Sequence, residues 1–170
     1  MAQVIRLAVA VLCLTAALLS AEAAAADARC AFYRALDRRC ACSGTDHYFL
    51  EYGERYCERF MHATWSPLAR RWRDRTLACL RDELMHRVYA SAGHCDCVAI
   101  KGFAFSSHAR CYTQEAASVC RLPLADLAHI YSIIDAPDLI DASGSQQVVA
   151  VTLSCIWQNR NAGARPDVAQ

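Results

Sequence analysis

The side chains with the most chemistry in this 170-residue sequence are its eleven cysteines. One short stretch, His94-Cys95-Asp96-Cys97, sets two of them beside an imidazole and a carboxylate. Two thiolates and an imidazole are ligand types that suit zinc, and a close thiol pair also suits disulfide exchange. Both readings need reduced sulfur. The compartment in which the chain matures therefore decides between them and a plain disulfide role.

The first residues address that compartment. Arg6 precedes an apolar run over residues 7–19, followed by Ser20-Ala21-Glu22-Ala23-Ala24-Ala25-Ala26, which offers several small-x-small cleavage sites. The run falls short of the roughly 20 apolar residues that a membrane-spanning helix needs. Residues 1–26 are read as a signal peptide cleaved near residues 23–26, and the protein as secreted and extracellular. Its removal takes Cys13 away and leaves Cys30, Cys40, Cys42, Cys57, Cys79, Cys95, Cys97, Cys111, Cys120 and Cys155. An even set dispersed along a short secreted chain reads as a disulfide framework. On this reading His94 is a surface residue, Asp96 caps the following helix, and no metal or other cofactor is expected.

Other groups are weaker candidates. Arg70, Arg71, Arg73 and Arg75 surround Trp72 and would suit an acidic protein or a sulfated polysaccharide. The plainer account is a solvated helix face, with Asp74 and Asp82 nearby and Trp72 in the core. A small secreted enzyme of phospholipase A2 type would need a His-Asp pair beside a glycine-rich calcium loop, and neither Asp46-His47 nor His108 has that context. Gly-x-Ser-x-Gly and His-Glu-x-x-His are absent as well. The formal net charge of +1 names no nucleic-acid partner, and no second apolar run of spanning length follows the first. Neither Asn159 nor Asn161 begins an Asn-x-Ser/Thr acceptor.

The elements that must position these residues are helices, because apolar residues recur at three and four rather than alternating. A first helix is expected over residues 30–38. A second starts with Asp46 as N-cap and turns Phe49, Tyr52, Tyr56, Phe60 and Met61 to one side, with Gly53 marking a close helix contact. A third opens on Ser66 and Pro67, runs through Leu77, Leu80, Leu84 and Val88, and stops at Gly93. The fourth passes Val98, Ile100, Phe103 and Ala104 to Cys111, and a fifth uses Leu127, Ile130, Tyr131 and Ile134. Pro137 separates it from a last helix after Ser143-Gly144-Ser145, with Val148, Thr152, Cys155 and Ile156 on one face. The fold expected is all-α, a small disulfide-stapled bundle of about five or six helices over residues 27–159, with a loose tail over 160–170.

From Cys57 onward the cysteines fall at intervals of 22, 16, 16, 9 and 35 residues. With Tyr56-Cys57-Glu58-Arg59-Phe60, Cys111-Tyr112 and Ser118-Val119-Cys120, these intervals resemble the stanniocalcin family. The resemblance covers residues 30–155. It implies a secreted, hormone-like regulator acting by binding, linked in that family to calcium and phosphate balance and to inhibition of secreted pappalysin metalloproteinases. A protein receptor or a secreted protease would then be the partner. It also implies the pairings Cys30 with Cys42, Cys40 with Cys57, Cys79 with Cys111, and Cys120 with Cys155. Cys95 and Cys97 are left over: the family's partner cysteine is missing, and they form either a strained bond with each other or a bridge to another chain. The cysteine that links two chains in that family has no counterpart before Gln170, so a homodimer lacks that covalent route.

Overall fold

The first helix, α1 (Phe32–Cys40), buries Tyr33 and Leu36 and ends abruptly at Ala41. Ala41 is left-handed, with φ 51° and ψ 40°, and its N–H bonds the Asp37 carbonyl at 2.7 Å. The chain turns there, between Cys40 and Cys42. This computed structural model describes residue 6 and residues 11–15, 28–44, 47–90 and 94–163, with side chains up to residue 160. The expected cap Asp46, the stop at Gly93, most of residues 1–26 and residues 164–170 lie outside them.

Residues Phe49–Glu54 are π-helical and run directly into α2 (Arg55–His62). Phe49, Tyr56 and Phe60 are buried, with Tyr52 and Met61 half-buried, so this is the face the spacing predicted. Gly53 makes the close contact expected of it, since a Cβ there would overlap the Tyr33 ring.

The long helix α3 (Pro67–Tyr89) begins as its residues dictate. Ser66 Oγ accepts the Ala69 N–H at 3.1 Å, and Pro67 takes the first helical position, where its missing N–H costs nothing. It buries Trp72, Thr76, Leu80, Leu84 and Val88 along one stripe. Helix α4 (Cys97–Tyr112) is capped by Asp96, whose Oδ1 accepts the Ala99 N–H at 3.0 Å. It is the central element, packing against both α3 and the last helix.

Two 3-10 turns, Glu115–Ala117 and Val119–Arg121, lead into α5 (Leu124–Ile133), α6 (Ala136–Ile140) and α7 (Ala142–Gly163). Helix α6 was not announced by the sequence, because five residues are too few to display a period. Pro137 lies in its first turn instead of merely breaking the chain. Helix α7 begins before Ser143-Gly144-Ser145, not after it, because Asp141 Oδ1 accepts the Gly144 N–H in the manner of an N-cap. It also continues past Arg160 to Gly163, where a loose tail was expected.

The core has two apolar clusters joined through Leu77. One gathers α1, the π-helical turn and the facing parts of α3 and α4 around Phe49, Leu84 and Ile100. The other gathers Phe60, Trp65, Trp72, Val119 and Ile130 beneath α5 and α7. The described residues form an all-α bundle, with no strand among them.

Five disulfides staple it: Cys30–Cys57, Cys40–Cys95, Cys42–Cys97, Cys79–Cys111 and Cys120–Cys155. The last two are those the resemblance implied. The first three correct it. Cys30 and Cys42 lie at opposite ends of α1, a nine-residue helix about 13 Å long, beyond the roughly 7 Å Cα separation that a disulfide spans. Cys57 on α2 instead comes to 5.8 Å from Cys30, which also removes it as a partner for Cys40. Cys95 and Cys97 are neither unpaired nor bonded to each other, because the two Cys-x-Cys tripeptides lie side by side. Their Cα separations are 5.3 Å for Cys40–Cys95 and 5.8 Å for Cys42–Cys97.

Candidate functional site

The sulfur chemistry proposed for His94-Cys95-Asp96-Cys97 has no thiolate to use, since both cysteines are in disulfides, Asp96 caps α4 and His94 is exposed. Among the described residues no group of three His, Cys, Asp or Glu side chains is placed to hold a metal ion.

The arginine set divides. Arg70, Arg71 and Arg75 are exposed, whereas Arg73 is 8% exposed and lays its guanidinium on Asp74, with Nη2 at 2.7 Å and Nε at 3.0 Å from Oδ1. Trp72 is 1% exposed and donates its Nε1–H to the Tyr112 carbonyl at 3.1 Å, so it belongs to the core.

Two histidines have partners that invite a catalytic reading. His47 Nε2 lies 2.9 Å from Asp37 Oδ1, and its Nδ1 is 4.0 Å from Glu51 Oε1, beside a cleft of about 270 Å³ that Lys101 and Asp141 also line. Asp37 thus orients the ring through Nε2, while the Glu51 oxygen lies beyond hydrogen-bond distance of Nδ1. His108 is buried between Phe105 and Tyr112, and its Nδ1–H donates to the Ala104 carbonyl at 2.6 Å. Burial lowers its pKa to about 4, so it is neutral and packs as an aromatic ring.

An apolar concavity lies under α7. A cleft of about 340 Å³ is walled by α5, α6 and α7 and floored by Tyr52 and Tyr112. Leu127, Ile130, Ile134, Val148 and Val151 make it apolar. Its far wall is pinned by a charged knot. Arg55 reaches Asp135 Oδ2 at 3.2 Å and Asp138 Oδ2 at 2.6 Å, and Arg59 reaches Asp135 Oδ1 at 2.8 Å. Between them the Tyr56 hydroxyl donates to Asp138 and accepts the Asp135 N–H, while both guanidinium groups stack over its ring. Burial, reinforced by the bond to Asp138, pushes the Tyr56 phenol up to about 12, so the hydroxyl keeps the proton it donates. The bond from Arg59 holds the Asp135 carboxyl below its usual range.

Two features of this region were not singled out from sequence. Gln147 engages the Tyr112 hydroxyl, yet its Oε1 is buried with no hydrogen-bond partner. Asp138 is the one charged residue that lines the cleft, and Arg55 and Tyr56 already occupy it. The outer face of α7 is apolar too, with Val149, Leu153, Ile156 and Trp157 exposed, Trp157 by 65%. The face predicted for this helix is rotated: Val148 and Cys155 turn inward with Val151, but Thr152 and Ile156 turn out. A usable signal was present, since residues 142–159 contain no charged side chain.

No family model, curated protein or solved structure matches this chain. That leaves the stanniocalcin-like reading untouched, and of the four pairings it implied Cys79–Cys111 and Cys120–Cys155 are present while Cys30–Cys42 and Cys40–Cys57 are not.

Proposed function

We propose that this chain is a secreted regulator that acts by binding another protein through the outer face of α7. The observation that carries the reading is the stripe Val149, Leu153, Ile156 and Trp157, exposed on the side of α7 turned away from Val151 and Cys155, which pack against the core. A contiguous apolar surface of this kind marks an interaction site, and an exposed tryptophan is the side chain most often found at the energetic centre of one. The stripe carries no lysine or arginine before Arg160, so it is not designed for anionic lipid. Five disulfides fit an extracellular setting. Calcium and phosphate balance, or restraint of a secreted metalloproteinase, would be the form of regulation if the stanniocalcin resemblance extends to function. The exposed Arg70, Arg71 and Arg75 on α3 offer a second, charged contact surface.

The test is affinity capture from the medium in which the protein is secreted, run in parallel with wild type and with the pair Leu153→Asp and Trp157→Asp. A protein retained by wild type and lost with the variant supports the reading. Equal retention by both overturns it. Sedimentation of the purified chain separates a second copy from a different partner.

A second reading, a hydrolase, is favoured by the His47–Asp37 pair at its cleft. Fatty-acid release from phosphatidylcholine vesicles in calcium, abolished by His47→Gln, would replace the binder with an enzyme.

A further inference from the structure

We propose that the exposed face of α7 pairs with the same face of a second copy of this chain, the two helices running antiparallel. The inference rests on the reading of that stripe as an interaction site and names its partner.

The spacing of the stripe favours a helix as the partner. Val149, Leu153 and Ile156 are separated by four and then three residues, and the same alternation continues to Gln146 and Ala142 in one direction and to Arg160 in the other. All six positions are exposed, and Trp157 beside them is exposed as well. A row with the 3.5-residue repeat of a coiled-coil seam therefore runs along most of α7, open to the surface. Such a row is filled best by side chains of the same period, which a second helix supplies.

Charge then selects a second copy and sets its direction. Coiled-coil helices choose a different partner through charged residues that flank the seam. Here the flanking Ser145, Thr152 and Asn159 are uncharged, and no charge lies between Asp141 and Arg160. Those two residues have opposite sign and stand at opposite ends of the helix, about 28 Å apart at 1.5 Å per residue. A parallel pair would set arginine beside arginine and aspartate beside aspartate. An antiparallel pair brings each Arg160 to Asp141 of the other copy, a closed two-fold arrangement in which one surface complements itself. In that register Leu153 packs on Val149 of the second copy, and Ile156 lies against its Gln146.

The helix is also fixed before it associates. Cys120–Cys155 ties it to the 3-10 turn, and Gly144 abuts the Asp138 carbonyl so closely that a Cβ would overlap it. Pairing then carries little of the ordering cost that weakens short isolated helices. It also covers Leu153 and Ile156, so self-association and any other partner of the stripe exclude one another.

Sedimentation equilibrium of the chain purified with its disulfides intact, over a concentration series, tests the proposal. Expected is a reversible equilibrium between monomer and dimer. Leu153→Asp shifts it to monomer. Gln146→Leu, which sets a leucine against Ile156 of the other copy, tightens it by at least roughly tenfold, a gain that a misfolded chain does not show. Arg160→Glu weakens the antiparallel dimer several-fold because like charges then meet at both ends, whereas a parallel pair would keep arginine-like repulsion in another form and change little. A monomer at every concentration, or a dimer indifferent to any of the three substitutions, overturns the proposal. If the wild type is monomeric and still captures another protein that the Leu153→Asp and Trp157→Asp variant loses, this inference falls and the binding reading stands. If neither dimer nor capture is found, both fall.

Discussion

His108 keeps its proton off because the surrounding rings of Phe105 and Tyr112 leave no water to solvate a charge. Its pKa of about 4 lies below the unfolded value of 6.5, so between those limits the unfolded chain binds a proton that the folded chain refuses. Stability therefore rises with pH across this window and is lost as pH falls from about 6.5 towards 4, by up to about 3 kcal/mol. Urea titrations at pH 7 and pH 4.5 should show that loss for the wild type and a smaller one for His108→Gln. Asp135 works in a lower window, because its depressed pKa means that its bond to Arg59 is lost only in stronger acid. Ala41 is a second residue-scale case. A left-handed alanine is disfavoured by about 1 kcal/mol relative to glycine, and a Cβ at this exposed position gains little in return. Ala41→Gly should raise the thermal midpoint by a few degrees. Sequence shows alanine there but not its φ, which belongs to the left-handed cap where its N–H bonds the Asp37 carbonyl.

Helix starts were legible at the element scale where the signal is local. Ser66-Pro67 and Asp96 cap α3 and α4 with their own side chains, and such bonds need no distant partner. The faces of α7 were not legible, since apolar residues go round the helix and only tertiary packing says which are covered. The bridges at Cys95 and Cys97 had a signal that was overlooked: Cys40-Ala41-Cys42 and Cys95-Asp96-Cys97 share one internal spacing, so two strictly parallel bonds, each across 55 residues, satisfy all four sulfurs. In the chain-entropy model closing such a loop contributes about 4 kcal/mol once, and the second bond beside it adds little. Replacing Cys42 and Cys97 by serine should therefore cost far less than replacing all four, measured by denaturant midpoint. Non-reduced peptide maps should join the tryptic peptides of residues 40–42 to those of 95–97. Gly144 is the corresponding weak point of the α6–α7 joint, and Gly144→Ala should destabilise by at least 1 kcal/mol, as overpacked positions do, and release α6.

For the whole molecule, composition and cysteine parity carried the fold class, because ten cysteines and helical periodicity leave few other architectures. They could not carry the site. Gln147 and Asp138 meet Tyr112 and Tyr56 only after some thirty to eighty intervening residues fold back, and nothing in their local sequence marks them. The pairing scheme makes a global prediction: the chain lacking residues 1–26 should show no thiol reactive to Ellman's reagent in denaturant, because every remaining cysteine is bridged and the free Cys13 lies within the residues left out. One or more thiols would contradict the scheme.

The five bonds have one further property, visible when the chain is drawn as a graph with disulfides as extra edges. Four of them overlap in sequence and weld residues 30–111 into one covalent ring system, and the fifth closes residues 120–155 by itself. No edge crosses the interval between. A single proteolytic cut among the exposed residues Glu115 and Ala116 would divide the protein into two separately knotted pieces, joined by side-chain contact alone. On a non-reducing gel the cut protein would run as two bands, although in native buffer it still migrates as one.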